Sequence, residues 1–104
     1  MKRVFAALAM LCLGVAAHAA IDPDAQALID TGHWKKLRAM AESRVVANPN
    51  DESATFLLAY AKWAFADLDG AQALVEKAIS LKSDDPSCYY LSARIYGQRA
   101  QRAG

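Results

Sequence analysis

The sequence predicts an all-α fold, and three of its features support that prediction. Apolar residues recur at the three- and four-residue spacing of helices, no segment alternates with a period of two, and a pattern returns after 34 residues. Small residues at this same spacing, Ala25, Ala59 and Ala93, are expected where helices approach closely. The first copy of the pattern contains Gly32, Trp34, Leu37, Ala41, Val45, Ala47 and Pro49, and the second contains, in the same order, Ala66, Leu68, Ala71, Val75, Ile79, Leu81 and Ser83.

Residues 1–19 have the features of a secretory signal peptide. Two basic residues precede an almost unbroken apolar run, which ends in the small-residue site Ala17-His18-Ala19. The run is shorter than the roughly 20 apolar residues that a membrane-spanning helix needs. We therefore expect cleavage after Ala19, export to the periplasm of a Gram-negative bacterium, and no membrane attachment of the mature chain, residues 20–104.

The mature chain is nearly neutral and has a single thiol. Ten Lys and Arg remain against eleven Asp and Glu, a formal charge of −1. Nucleic-acid binding needs a basic face and is not expected. Cys12 leaves with the signal peptide, so that Cys88 has no partner for an internal disulfide. A fold of 85 residues must then be stabilised by helix packing alone.

The first two helices are predicted from their start and stop signals. Asp22 as N-cap and Pro23 in the first turn begin a short helix that should end near Asp30, before a Thr-Gly pair. The second helix carries the apolar positions of the repeat on one face and polar residues largely on the others. It should end before Pro49, because a residue that precedes proline is disfavoured in a helix.

Three more helices follow. The third, capped by Asp51 or Asn50 and running roughly over 52–66, is apolar nearly all round, so most of its surface should be covered. The fourth begins after Asp67 and ends near Leu81. The fifth begins with Asp85 as N-cap and a first-turn proline and runs to about residue 101.

A period of 34 with two helices in each unit resembles the tetratricopeptide repeat, over most of residues 25–98. The resemblance implies an α-solenoid of stacked antiparallel helix pairs, here a partial repeat at 20–49, a full repeat at 52–85 and a half repeat at 86–104. The fifth helix is then either a terminal capping helix or the start of another unit in a longer array. In this family the first helix of each unit lines the concave surface.

An aromatic stripe lies on that surface if the resemblance holds. The third helix carries Phe56, Tyr60 and Trp63 at spacings of four and three residues, which places them on one face. The repeat spacing aligns Tyr90 and Arg94 with the first two of them. We expect a partner peptide or helix to contact these five residues, since aromatic and arginine side chains serve as interface anchors.

Other side chains give little reason to expect catalysis, a metal or a cofactor. His33 has no second histidine beside it, and Cys88 is more simply interpreted as a half-buried residue at a helix contact than as a reactive thiol. Four acidic residues lack the spacing of a calcium loop and are interpreted as helix caps. They are Asp67, Asp69, Asp84 and Asp85.

The sequence thus favours a non-catalytic scaffold that binds another protein in a shallow aromatic groove. Three alternatives remain open at this point. In the first, the aromatic stripe serves core packing alone. In the second, the chain is a fragment of a longer solenoid or a self-associating structural domain. In the third and more remote one, it is a thiol-dependent redox protein that uses Cys88.

Overall fold

The computed structural model describes residues 21–103, so the predicted signal peptide lies outside the described residues. Within that range the chain forms five α-helices and no strand, which confirms the all-α prediction. None of these helices is long and apolar enough to cross a membrane. The helices are α1 (Pro23–Asp30), α2 (Trp34–Ala47), α3 (Glu52–Ala64), α4 (Leu68–Leu81) and α5 (Pro86–Ala103).

The 34-residue period is present in the backbone as well as in the sequence. Helices α2 and α4 have the same length, and their first residues are 34 positions apart. The first residues of α3 and α5 are also 34 positions apart. The turns that end α1 and α3 carry the same hydrogen bonds: Gly32 N–H to Ile29 O and Ala66 N–H to Trp63 O occupy equivalent positions. Both turning residues have positive φ, 70° at Gly32 and 62° at Ala66.

The predicted N-cap residues precede the observed helix starts, but their side chains do not all form a capping hydrogen bond. The side chain of Asp51 accepts the amide of Ala54 at 3.2 Å, and that of Asp67 accepts the amide of Gly70 at 3.0 Å. Asp22 is the N-cap residue of α1, as predicted, but its side chain forms no capping hydrogen bond. Its carboxylate instead forms a bidentate pair with Arg44 at the end of α2, at 2.7 and 3.1 Å, and so joins α1 to α2.

Helix α3 lies at the centre of the molecule, because it contributes to both clusters of buried side chains. One cluster joins α3 to α4 and α5 through residues such as Phe56 and Ile95, and the other joins α3 to α1 and α2 through residues such as Leu57 and Leu37. Eight of the thirteen residues of α3 are buried, which agrees with its apolar composition.

Contacts between helix ends give the helix directions. Asp22 meets Arg44, so α1 and α2 run in opposite directions, and Arg99 near the end of α5 pairs with Asp69 at the start of α4. Helices α3 and α5 run in the same direction, because Glu52 and Cys88 meet at their starts and Trp63 and Gln98 meet near their ends. Helices α3 and α5, whose first residues are one sequence period apart, therefore lie side by side.

The three aligned alanines do not share one environment. Ala25 and Ala59 are fully buried, as expected at close helix contacts. Ala93 is exposed, so the prediction for it is wrong. Its side chain lies on α5, the last helix, where no following element covers it within the described residues.

Candidate functional site

The five residues of the aromatic stripe lie around one open groove between α3 and α5. The groove has a volume of about 570 Å³, and Phe56, Tyr60, Trp63, Tyr90 and Arg94 all line it. Ile21, ahead of α1, and Pro86, Ser87 and Leu91 on α5 complete the lining. The parallel course of α3 and α5 explains this convergence, since it brings residues that are 34 positions apart in the sequence to the same side of the two helices.

The base of the groove is a chain of contacting rings. The ring centroids of Phe56 and Tyr60 are 6.1 Å apart, and those of Tyr60 and Trp63 are 5.4 Å apart with the rings nearly edge to face. Trp34 on α2 continues the chain, 5.9 Å from Tyr60, and had no place in the predicted stripe. Such pairs favour tilted arrangements because the ring edge and ring face carry opposite partial charge.

Burial divides the stripe into core and surface. Phe56 is buried, whereas Tyr60 and Trp63 are half-buried and pack against the cluster formed by α3, α4 and α5. Tyr90 is 66% exposed and Arg94 is also exposed. The interpretation of the stripe as packing therefore fits Phe56, while the α5 residues are available to solvent.

Arg94 is held over the groove by aromatic side chains rather than by a carboxylate. Its guanidinium lies 5.2 Å from the ring of Trp63 and 5.9 Å from the ring of Tyr90, and it donates to the Tyr90 hydroxyl at 3.1 Å. Among residues 21–103 it forms no ion pair. Trp63 is fixed in turn by a 2.8 Å hydrogen bond from its Nε1 to Oε1 of Gln98. The groove thus presents a positive charge beside an apolar floor.

A second group of polar side chains lies at the start of the α3–α5 contact. The thiol of Cys88 donates to Oε1 of Glu52 at 3.1 Å and lies 3.7 Å from Oδ2 of Asp85. The Sγ atom of Cys88 and one carboxyl oxygen each from Glu52 and Asp85 all lie within 4.8 Å of one another. The predicted helix contact of Cys88 is correct, but the residue is fully buried rather than half-buried, and its contact with Glu52, 36 residues earlier, was not predicted.

The environment of this cluster shifts all three pKa values. Burial, followed by the hydrogen bond with Asp85, raises the pKa of Glu52 to about 7. Burial opposes ionisation of Asp85 as well, but hydrogen bonds from Glu52, the Ser87 amide and Cys88 lower its pKa below the ordinary value. Burial and the neighbouring Glu52 raise the pKa of Cys88 far above its ordinary value. A thiol in this state is a poor nucleophile.

The other polar residues singled out in the sequence have local roles. Asp67 caps α4 as predicted, whereas Asp69 pairs with Arg99 and is not a cap. Asp85 accepts the Ser87 amide and also belongs to the buried cluster, while Asp84 is exposed. His33 is exposed and its Nδ1 contacts the hydroxyl of Thr31 in the turn after α1.

Comparison of the chain with protein-family models, curated proteins and solved structures finds no match in any of the three.

Proposed function

We propose that the protein is an exported, tetratricopeptide-like adaptor that binds a segment of another protein in the groove between α3 and α5, without catalysis. The 34-residue spacing of helix starts supports the repeat part of the proposal, since α2 with α4 and α3 with α5 begin at equivalent positions. The buried thiol of Cys88, with its raised pKa, argues against the redox alternative.

The observation that carries the proposal is the arrangement of Tyr90 and Arg94 over the ring floor. Tyr90 is exposed beside an apolar surface, and the charge of Arg94 has no carboxylate partner among residues 21–103. A partner segment with an aliphatic or aromatic side chain next to Asp or Glu fits both. The apolar side chain would cover Tyr60 and Trp63, and the carboxylate would accept from Arg94.

A preformed surface suits such binding. The rings of Tyr60 and Trp63 are held by each other and by Gln98. Little side-chain freedom is then lost when a partner binds, which lowers the entropic cost of association.

The test is selection of binding peptides from a phage-displayed library of 12-residue peptides on the purified protein. We expect enriched peptides to combine apolar and acidic residues. Tyr90→Ala and Arg94→Ala should each weaken their binding by about tenfold, a typical loss for an interface anchor. The melting temperatures of both variants should stay near that of the parent, because the substituted side chains are exposed.

Tyr96→Ala is the matched control. Tyr96 is 51% exposed on the same helix but bonds to Gln72 and Glu76 on α4, away from the groove. If Tyr96→Ala weakens binding as much as Tyr90→Ala, or if no apolar-acidic peptide is enriched, the groove is not the binding face.

A second candidate function is a structural role in a larger helical assembly. It is favoured by the outer face of α5, where Tyr89 and Tyr96 are about half exposed and Ala93 is uncovered at a position whose equivalent, Ala59, is buried. Mass and elution volume at two protein concentrations distinguish the candidates. The apparent mass of a self-associating protein rises with concentration, whereas the apparent mass of a monomeric adaptor stays the same.

Export to the periplasm belongs to the same proposal and rests on the sequence of residues 1–19. The protein recovered from a periplasmic fraction should have the mass of a chain that begins at Ala20. A mass that includes Met1 would contradict export with cleavage.

A further inference from the structure

The starts of α3 and α5 meet at a buried pair of carboxyl groups that has no cation. Glu52 is 9% exposed and Asp85 is 7% exposed, and one carboxyl oxygen of each lies within 4.8 Å of the other. No basic side chain among residues 21–103 forms an ion pair with either. The donors that reach them are the Ser87 amide, 2.9 Å from Oδ1 of Asp85, and the Cys88 thiol, 3.1 Å from Oε1 of Glu52.

An ionised carboxyl group can only accept hydrogen bonds, so two ionised groups in this largely buried position would repel each other. One proton changes the repulsion into a hydrogen bond. Asp85 is the better site for the negative charge, because the Ser87 amide donates to it. Glu52 is then the group that carries the proton.

We propose that Glu52 holds a proton that it donates to Asp85, and that this proton fastens the first turn of α5 to the first turn of α3. As the pH rises and the proton leaves, the carboxylates repel and the first turn of α5 separates from α3. The inference concerns the helix contact and does not depend on what the groove binds.

The direction of the pH dependence follows from the folded and unfolded values of Glu52. Burial and the bond with Asp85 raise its pKa from 4.5 to about 7 on folding. The proton is therefore bound more tightly in the folded state, and its stabilising contribution is full below pH 4.5 and lost as the pH rises to about 7. The lowered pKa of Asp85 acts in the opposite sense, but only below its ordinary value of 3.8.

Three titratable groups face Glu52. Asp85, before α5, favours the protonated form by its hydrogen bond and its charge; Cys88 on α5 donates to Glu52 and favours the ionised form; and Lys82, after α4, favours the ionised form through its charge. Lys82 and Cys88 limit the effect without removing it. We expect the unfolding equilibrium constant to rise by up to roughly a hundredfold between pH 5 and pH 8 because of Glu52.

The experiment is urea unfolding of the purified protein at pH 5, 6, 7 and 8, in buffer that contains EDTA so that no bound cation contributes. Glu52→Gln keeps a donor toward Asp85 and cannot ionise. This variant should lose most of the fall in stability between pH 5 and pH 8. Asp84→Asn is the matched control: Asp84 is exposed beside Asp85, and its variant should keep the pH dependence of the parent.

One further measurement does not depend on the stability of a variant. Carbon-13 NMR of the parent should show the Glu52 carboxyl titrating near pH 7. A Glu52 carboxyl that titrates near pH 4.5, or parallel stability curves for the parent and Glu52→Gln, would overturn the proposal.

Discussion

At the scale of single residues, the turn after α3 contains an alanine in a strained conformation, whereas the equivalent turn after α1 has a glycine at that position. Ala66 has a φ of 62°, and Gly32, at the same place after α1, has a φ of 70°. A left-handed conformation costs an L-residue about 1–2 kcal/mol and costs glycine almost nothing. Ala66→Gly should therefore stabilise the protein by about 0.5–1 kcal/mol after the greater freedom of glycine in the unfolded chain is subtracted, as measured by urea unfolding.

Gly32→Ala is the reciprocal control. A methyl group at Gly32 would meet only Nε1 of Trp34 at 3.8 Å, an ordinary contact, so the backbone conformation alone sets the cost. We expect a loss of about 1 kcal/mol or more. If both substitutions move stability in the same direction, strain at the shared turn is not the cause.

At the scale of helices, one repeat position has two environments because α5 is the last described helix. Ala59 on α3 is fully buried, and Ala93, its equivalent on α5, is exposed. Ala59→Leu should cost about 1–3 kcal/mol or more through overpacking. Ala93→Leu should change stability by no more than about 0.5 kcal/mol, since both residues favour helices and the site is open. Thermal unfolding of the two variants beside the parent checks this.

The comparison between the two leucine variants also bears on assembly. A loss at Ala93→Leu as large as that at Ala59→Leu would mean that something covers α5 in solution, contrary to the exposure of Ala93. Concentration-dependent stability of the parent would then be expected as well.

The helices themselves were largely predictable, because their signals are local. Pro23, Pro86 and the capping Asp51 and Asp67 fix helix starts within a few residues of sequence, and the observed starts agree. The repeat period also predicted that Tyr90 and Arg94 lie beside the stripe on α3, and both residues line the same groove as the stripe.

The contacts that sequence reasoning missed join residues far apart in the chain. Asp22 reads as a cap, but its position across from Arg44, 22 residues later, gives it a stronger partner. Glu52 and Cys88 are separated by 36 residues, and neither sequence context indicates the other. One feature of the sequence could have indicated this contact. Glu52 begins α3, and Pro86 begins α5 one repeat period later. If the two helices are assumed to be parallel neighbours, polar residues in their first turns must lie close together.

At the scale of the whole molecule, α3 links the two core clusters, and we expect them to unfold together. Ile95 is fully buried in the cluster of α3, α4 and α5, and the cluster of α1, α2 and α3 shares α3 with it. Ile95→Val removes one methyl group and should cost about 0.5–1.5 kcal/mol. If α3 transmits the loss, hydrogen exchange of the slowest amides should quicken to the same extent in α2, which Ile95 does not touch within its cluster, as in α5.

Val46→Ala, at a site 83% exposed, is the control and should alter neither helix. Faster exchange confined to α5 would instead mean that the last helix opens by itself, as nearest-neighbour repeat stacks allow, and that α3 does not couple the two clusters.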